Sequence, residues 1–311
     1  MKKIILVLSA LVFGAGVMSA QDMAQATETY NAGAEALQIG NNESALKHFE
    51  AAIKLAEACG AEGADIINNC KGVIPQIQLS IAKDLYNAKD FTKALNQIEV
   101  AIAAAKQYGS EDVELEAIGL KPTVLMQAGN RAIKAKDFVS AIANYKDVVA
   151  LDATNGMAYI NLGQALSATG NKAEAEAAWL KAIENGREKD GNKLLSTMHV
   201  KEAAALLKAK KYKDAIAAAE KSNSFLENAN AMKIAGTACQ LLKDNKGAID
   251  YLKKYTEVNP KAKDLNKIFY TIGALAQTMG DNATAIEFYQ KVANDPQLGA
   301  SVLPLLQSLK K

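Results

Sequence analysis

The chain has 311 residues; half are apolar, many of these alanine, while aromatics make up 6% and prolines number five. That composition favours helix and, with no run of alternating β-branched residues, points to an all-α fold. Once Lys2 and Lys3 are set aside, basic and acidic residues balance at 34 each, which leaves no broad field for nucleic acid or anionic lipid and makes a protein or peptide the expected partner.

In chain order, the first element is "MKKIILVLSALVFGAGVMSA" (residues 1–20): two lysines, an apolar run from Ile4 to about Val17, and small Ser19 and Ala20 before Gln21. This reads as a secretory signal cut after Ala20. The alternative is an uncleaved anchor, but the run is shorter than the roughly 20 residues a membrane span needs. No cysteine lies near the cut, which argues against a lipid anchor. The expected mature chain has no integral span and is exported: periplasmic or envelope-associated, with secretion as the other outcome.

From residue 21 onward one skeleton recurs. Gly33 is followed twelve, sixteen and nineteen residues later by Ala45, Phe49 and Ala52. Gly129 leads likewise to Ala141, Tyr145 and Val148; Gly163 to Ala175, Trp179 and Ala182; Gly236 to Ala248, Leu252 and Tyr255; and Gly273 to Ala285, Tyr289 and Val292. Two weaker copies start from Ala82 and Ala203. A period of this kind marks a repeat architecture. Each copy reads as two helices joined by a polar turn, such as "IGNN" (39–42), "AKDF" (88–91 and 135–138) or "MGDN" (279–282). Small anchors let the paired helices approach, and the large residue four beyond the alanine is expected to fill space between neighbouring pairs.

The resulting division is one solenoid over 21–311, with repeats at about 26–59, 75–108, 122–155, 156–189, 196–228, 229–262 and 266–299. The first two steps between anchors are 49 and 47 residues against 34 for the third, so insertions are placed at about 60–74 and 109–121. Each ends in a matching motif, "GVIP" (72–75) or "GLKP" (119–122). Pro75 and Pro122 suit a first helical turn or a kink in a helix begun earlier. A spacer is preferred over a lip above a groove. Residues 300–311 read as a helix capping the last repeat.

Two segments, "AYINLGQALSATGNKAEAEAAWLKAI" (158–183) and "FYTIGALAQTMGDNATAIEFYQKVANDP" (269–296), resemble tetratricopeptide repeats. The resemblance implies a right-handed superhelical solenoid of about seven antiparallel helix pairs whose first helices line a concave groove. The implied groove positions are Met126, Asn130 and Lys134 in the third repeat, and Ile160, Asn161 and Gln164 in the fourth. The later repeats add Lys201 and Lys208, then Lys233, Thr237 and Gln240, and finally Tyr270 and Gln277. A carboxylate clamp known in the family would be incomplete here: Asn130, Asn161 and Lys201 match, while Met126 and Thr197 stand where lysines are needed. A mixed polar groove for a protein or peptide is the preferred reading.

Little else carries chemistry. Cys59 and Cys70 flank the first insertion and are open to a disulfide or to two free thiols, whereas Cys239 reads as a small core residue. His48 and His199 lack metal-ligand spacing and are expected to be partly exposed helix residues. No cofactor or metal is implied. The function read from the sequence is a non-enzymatic binding scaffold of the cell envelope. The alternatives are an assembly component acting through its flanks, or, from another class, an enzyme.

Overall fold

The structure is a computed structural model that describes residues 19–309. The expected signal segment therefore lies outside the described residues except for Ser19 and Ala20, and so do Lys310 and Lys311. Among the described residues there are fifteen α-helices and no strand. They fall into two compact units, one ending at Gly170 and the other beginning at Asn171.

The first unit holds α1 (Ser19–Gln38), α2 (Asn42–Ala58), α3 (Ala64–Asn87), α4 (Phe91–Tyr108), α5 (Glu111–Lys134), α6 (Phe138–Leu151) and α7 (Gly156–Ala168), with a 3-10 turn at Gly60–Gly63. The second holds α8 (Lys172–Glu184), α9 (Glu188–Lys208), α10 (Tyr212–Phe225), α11 (Ala229–Leu241), α12 (Asn245–Val258), α13 (Leu265–Thr278), α14 (Asn282–Gln290) and α15 (Gly299–Leu309). Within each unit every helix packs on the next in chain order. The odd-numbered helices also touch one another, α1 on α3, α3 on α5, and α9 on α11. Within each unit the side that these first helices share is called the inner face, the one the repeat resemblance implies for a groove.

The turns explain the regular spacing. Seven residues after each anchor the backbone enters the left-handed region, at Gly40, Lys89, Lys136, Gly170, Lys210, Lys243 and Gly280. In five of the seven turns the next residue caps the second helix, and Asn171 before α8 is at that place without a side-chain cap bond. Asn41, Asp90, Asp137, Asp244 and Asp281 each accept a hydrogen bond from the backbone N–H three residues on, satisfying one of the donors a helix start leaves open. Lys211, at the same place before α10, makes no such bond.

The large residue sixteen beyond the anchor joins the packing between neighbouring pairs, as the pattern suggested: Phe49 shares a cluster with Ile66 and Cys70 of α3, and Tyr289 one with Leu252 and Tyr255 of α12. It also lies directly on its own anchor. A methyl group at Gly129 would stand 2.6 Å from the Tyr145 ring, one at Gly273 2.7 Å from Tyr289, and one at Gly236 2.8 Å from Leu252. Glycine is the socket and the large side chain the plug. Tyr145 and Tyr289 are both 1% exposed as a result.

The stretches 60–74 and 109–121 are not separate lips. Apart from the turn residues, they form the leading halves of α3 and α5, which run unbroken through Pro75 and Pro122. Both prolines are therefore helix-interior residues, where each removes one backbone hydrogen bond. Packing holds the halves in place. Ile66, Cys70 and Ile74 are buried in a cluster with Met23, Phe49 and Ala56, and Val113 and Ala117 pack with Ala101 and Ala105. At the other end of the chain, α15 buries Val302 and Leu306 in the cluster that contains Tyr289.

Candidate functional site

In the first unit the inner face is organised around Asn130, one residue past the socket glycine of α5. The Tyr145 hydroxyl donates to Asn130 Oδ1 at 2.8 Å, and Asn161 Nδ2 of α7 donates to the same oxygen at 3.3 Å. With its oxygen occupied twice, Asn130 has only its amide N–H groups left to offer. Burial pushes the Tyr145 phenol up to about 12, so it stays protonated and keeps donating.

Beside Asn130 a cleft of about 710 Å³ opens between the end of α3, the α3–α4 turn and α5. Tyr86, Lys89 and Phe91 line one wall, and Gln127, Arg131 and Lys134 the other. Arg131 Nη1 donates to the Lys89 carbonyl at 2.7 Å, tying the guanidinium to the turn inside the preceding helix pair. The Tyr86 and Phe91 rings lie 5.9 Å apart and tilted, an apolar surface beside the cations. Among the other groove positions of this unit, Gln164 is exposed and Met126 is half-buried. Ile160 is only 5% exposed and belongs to the packing rather than to a binding surface, because α7 is apolar on that side.

In the second unit the inner-face residues divide. Lys201, Lys208 and Gln240 are exposed. Lys233 is not free: its ammonium pairs with Asp264 and lies 5.7 Å from the centre of the Tyr255 ring. The Tyr255 hydroxyl donates to Asp264 Oδ1 at 2.6 Å. The Lys233 and Tyr255 hydrogen bonds hold the Asp264 carboxyl below the usual carboxylate range, while burial, reinforced by Asp264, pushes Tyr255 up to about 12. Thr237 donates to the Lys233 carbonyl at 2.8 Å, and Gln277 Oε1 accepts from Tyr289 at 2.9 Å. Tyr270 lies against Tyr289, centroids 5.9 Å apart. Lys233, Tyr270 and Gln277 thus hold neighbouring helices together before any ligand arrives, while the Thr237 bond stays within α11.

His199 departs from expectation: it is 2% exposed. Its ring stacks on Phe225 at 5.8 Å, and Nδ1 lies 3.1 Å from Glu202 Oε2. Nε2 faces Glu176 Oε1 at 3.6 Å, while that oxygen is taken by Lys221 at 2.7 Å. The register held the clue. His199 sits four residues before its anchor, where two other copies bury Leu125 and Met232 and two more carry the half-buried rings of Tyr159 and Phe269, a position that takes a large side chain. The cysteines are free thiols, Cys59 half-buried and Cys70 and Cys239 buried. Burial pushes Cys70 up to about 12 and Cys239 to about 11, so neither is poised as a nucleophile. Among the described residues no group of three or more His, Cys, Asp or Glu could hold a metal ion, and no helix is long and apolar enough to cross a membrane.

The lining residues Tyr86, Lys89, Phe91, Gln127 and Arg131 were not among the sequence-derived groove positions. Those positions came from the first helices alone, and half of this cleft is built from a turn. The available signal was the second appearance of "AKDF", which keeps a lysine in the left-handed position of two turns.

Stacked helix pairs with a glycine socket, a left-handed turn residue and a capped second helix define an all-α repeat protein. Sequence profiles described as tetratricopeptide repeat match residues 132–196 and 267–294. Over those two stretches the chain carries tetratricopeptide repeats. A comparison with curated proteins finds no match. Among solved structures, similar chains include MamA from Desulfovibrio magneticus RS-1, 19% identical over 56% of this chain and 94% of that one (TM-score 0.33). The structure titled YrrB, "a TPR protein with an unusual peptide-binding site", is 19% identical over 57% and 89% (TM-score 0.32). The TPR2AB domain of yeast Sti1 in a pHSP90 complex is 15% identical over 93% and 99% (TM-score 0.36).

Proposed function

We propose that this protein is a non-enzymatic scaffold of the bacterial cell envelope that binds an extended protein or peptide segment on the inner, odd-numbered helices of its units. The observation that carries the reading is the Tyr145–Asn130–Asn161 network, which fixes an amide on the inner face with only its donors unused. An extended peptide presents a row of backbone carbonyls that such donors satisfy, and rigid helices present them without an ordering cost. Lys201, Lys208 and Gln240 offer the same chemistry in the second unit. The envelope location rests on the signal-like segment at residues 1–20.

The test is chemical crosslinking and pull-down from a native envelope fraction, comparing the wild-type chain with Asn161→Ala and with Lys201→Glu/Lys208→Glu. Lys233 is avoided because its reversal would break the Asp264 pair. Loss of the crosslinked partner in either variant is the expected result. The same partners recovered at equal yield from all three would remove the inner face from consideration.

A further inference from the structure

Resting on that reading, we infer that the cleft between the α3–α4 turn and α5 receives an acidic side chain of the bound peptide, with an aromatic or large apolar residue of the same peptide laid against Tyr86 and Phe91. The argument begins with a count of donors and acceptors. Lys89, Arg131 and Lys134 bring three cations to one opening, Asn130 adds an amide whose oxygen is already used, and no carboxylate lines the cleft. The acids next to the lining in sequence are engaged elsewhere: Asp84 accepts from Asn42 at 2.8 Å, Asp137 caps α6, and Asp90 caps α4 and pairs with Lys93 at 2.9 Å while also feeling the charge of Arg131. A chain with balanced charge has here lined a concavity with three cations and no carboxylate.

Geometry favours a carboxylate. One N–H of Arg131 is spent on the Lys89 carbonyl, which fixes the guanidinium plane and leaves its other donors for a ligand. A planar fork held in place suits the two oxygens of a carboxylate. The charges are exposed, however, and exposed ion pairs contribute little by themselves. Affinity therefore requires the second element, the tilted Tyr86–Phe91 pair 5.9 Å apart, which offers an apolar partner surface to a ring. The volume, about 710 Å³, suits two or three side chains and falls in the usual range for ligand clefts.

The experiment uses fluorescence anisotropy of the full mature chain with two labelled peptides. One contains Asp and Glu flanking a Phe; the other is identical except for Asn and Gln. The acidic peptide is expected to bind about tenfold tighter than its amide twin at low salt, with the preference shrinking as salt rises to ~0.5 M. Lys89→Asn/Lys134→Gln should abolish the preference. Both residues are exposed and Asn tolerates the left-handed backbone at 89, so the variant folds, as an unchanged circular dichroism melt would verify. Lys208→Gln, in the other unit, should keep the preference. Equal binding of both peptides to wild type, or a preference that survives in the double variant, overturns the acidic pocket while leaving peptide binding standing. Absence of binding by either peptide also overturns it, and the envelope crosslinks through Asn161, Lys201 and Lys208 then decide separately whether the inner face binds protein.

Discussion

Four of the seven inter-helix turns place a lysine where backbone geometry favours glycine, with φ of 60–63° at Lys89, Lys136, Lys210 and Lys243. An L-residue in that region costs roughly 1–2 kcal/mol, and glycine gives back part of the gain through roughly 0.5–1 kcal/mol of extra unfolded-state entropy. Lys136→Gly should therefore raise stability by up to about 1 kcal/mol, read as a higher urea midpoint at unchanged slope, and Gly280→Ala should lower it by a similar amount. A lowered midpoint for Lys136→Gly would mean the lysine side chain has a role the turn geometry does not disclose. The sockets give a second prediction. Gly129→Ala drives a methyl to 2.6 Å from the Tyr145 ring, so overpacking of about 1–3 kcal/mol should outweigh the roughly 1 kcal/mol that alanine gains in a helix. The second copy already pairs an alanine anchor, Ala82, with the smaller Ile98. In a double-mutant cycle, Gly129→Ala/Tyr145→Ile should cost less than the sum of its parts; strict additivity would contradict the socket.

At the scale of the helix, α8 after Asn171 and α10 after Lys211 both lack a side-chain cap, and among the second helices of the pairs α10 alone also lacks a capping residue type. Lys211 occupies a place held elsewhere by Asp or Asn and leaves the first turn uncapped. Lys211→Asp should stabilise by about 1 kcal/mol, with a matching rise in the urea midpoint, since a side-chain cap there is worth roughly that amount. This regularity also explains what could be read from the sequence alone. Socket, left-handed turn and cap recur at fixed offsets, so helix pairing and the inner-face register were legible from Gly129, Gly236 and Gly273. The course of α3 and α5 was less so, because Pro75 and Pro122 usually mark helix starts and only the burial of Ile66, Cys70, Val113 and Ala117 carries each helix past its proline. The proximity of Asn130 and Asn161, one on α5 and one on α7, follows from the shared register of their helices. The engagement of Lys233 with Asp264 was not legible, since Asp264 lies beyond the repeat that holds Lys233, nor was that of Gln277 with Tyr289, a bond within one repeat whose residue pair no other copy carries at those positions.

For the molecule as a whole, repeat stability is a sum of single-pair terms and interfaces between neighbours, and aspartates serve both. Asp90, Asp137 and Asp281 are held below the usual carboxylate range by hydrogen bonds from Lys93, Ser140 and Thr284, and Asp152 by Thr154. The Leu298 and Gln297 backbone N–H groups lower Asp295, and Lys233 and Tyr255 lower Asp264. Each folded-state value lies below the unfolded one of about 3.9, so the unfolded chain binds more protons in that window. The contribution is full above roughly pH 5 and is lost as pH falls below about 4 and through the folded-state values. Three of these groups, Asp264, Asp281 and Asp295, lie in the second unit, which also contains Trp179, 3% exposed and the chain's single tryptophan. Trp179 fluorescence therefore follows that unit, while far-ultraviolet circular dichroism follows all helices. Both urea midpoints should be flat above roughly pH 5 and fall steeply toward ~pH 3. Asp264→Asn removes one titrating link between α11, α12 and α13, so it should lower the fluorescence midpoint at neutral pH and make its fall with acid shallower. An acid dependence unchanged by that substitution would show that the Lys233–Asp264–Tyr255 contact does not tie neighbouring repeats together.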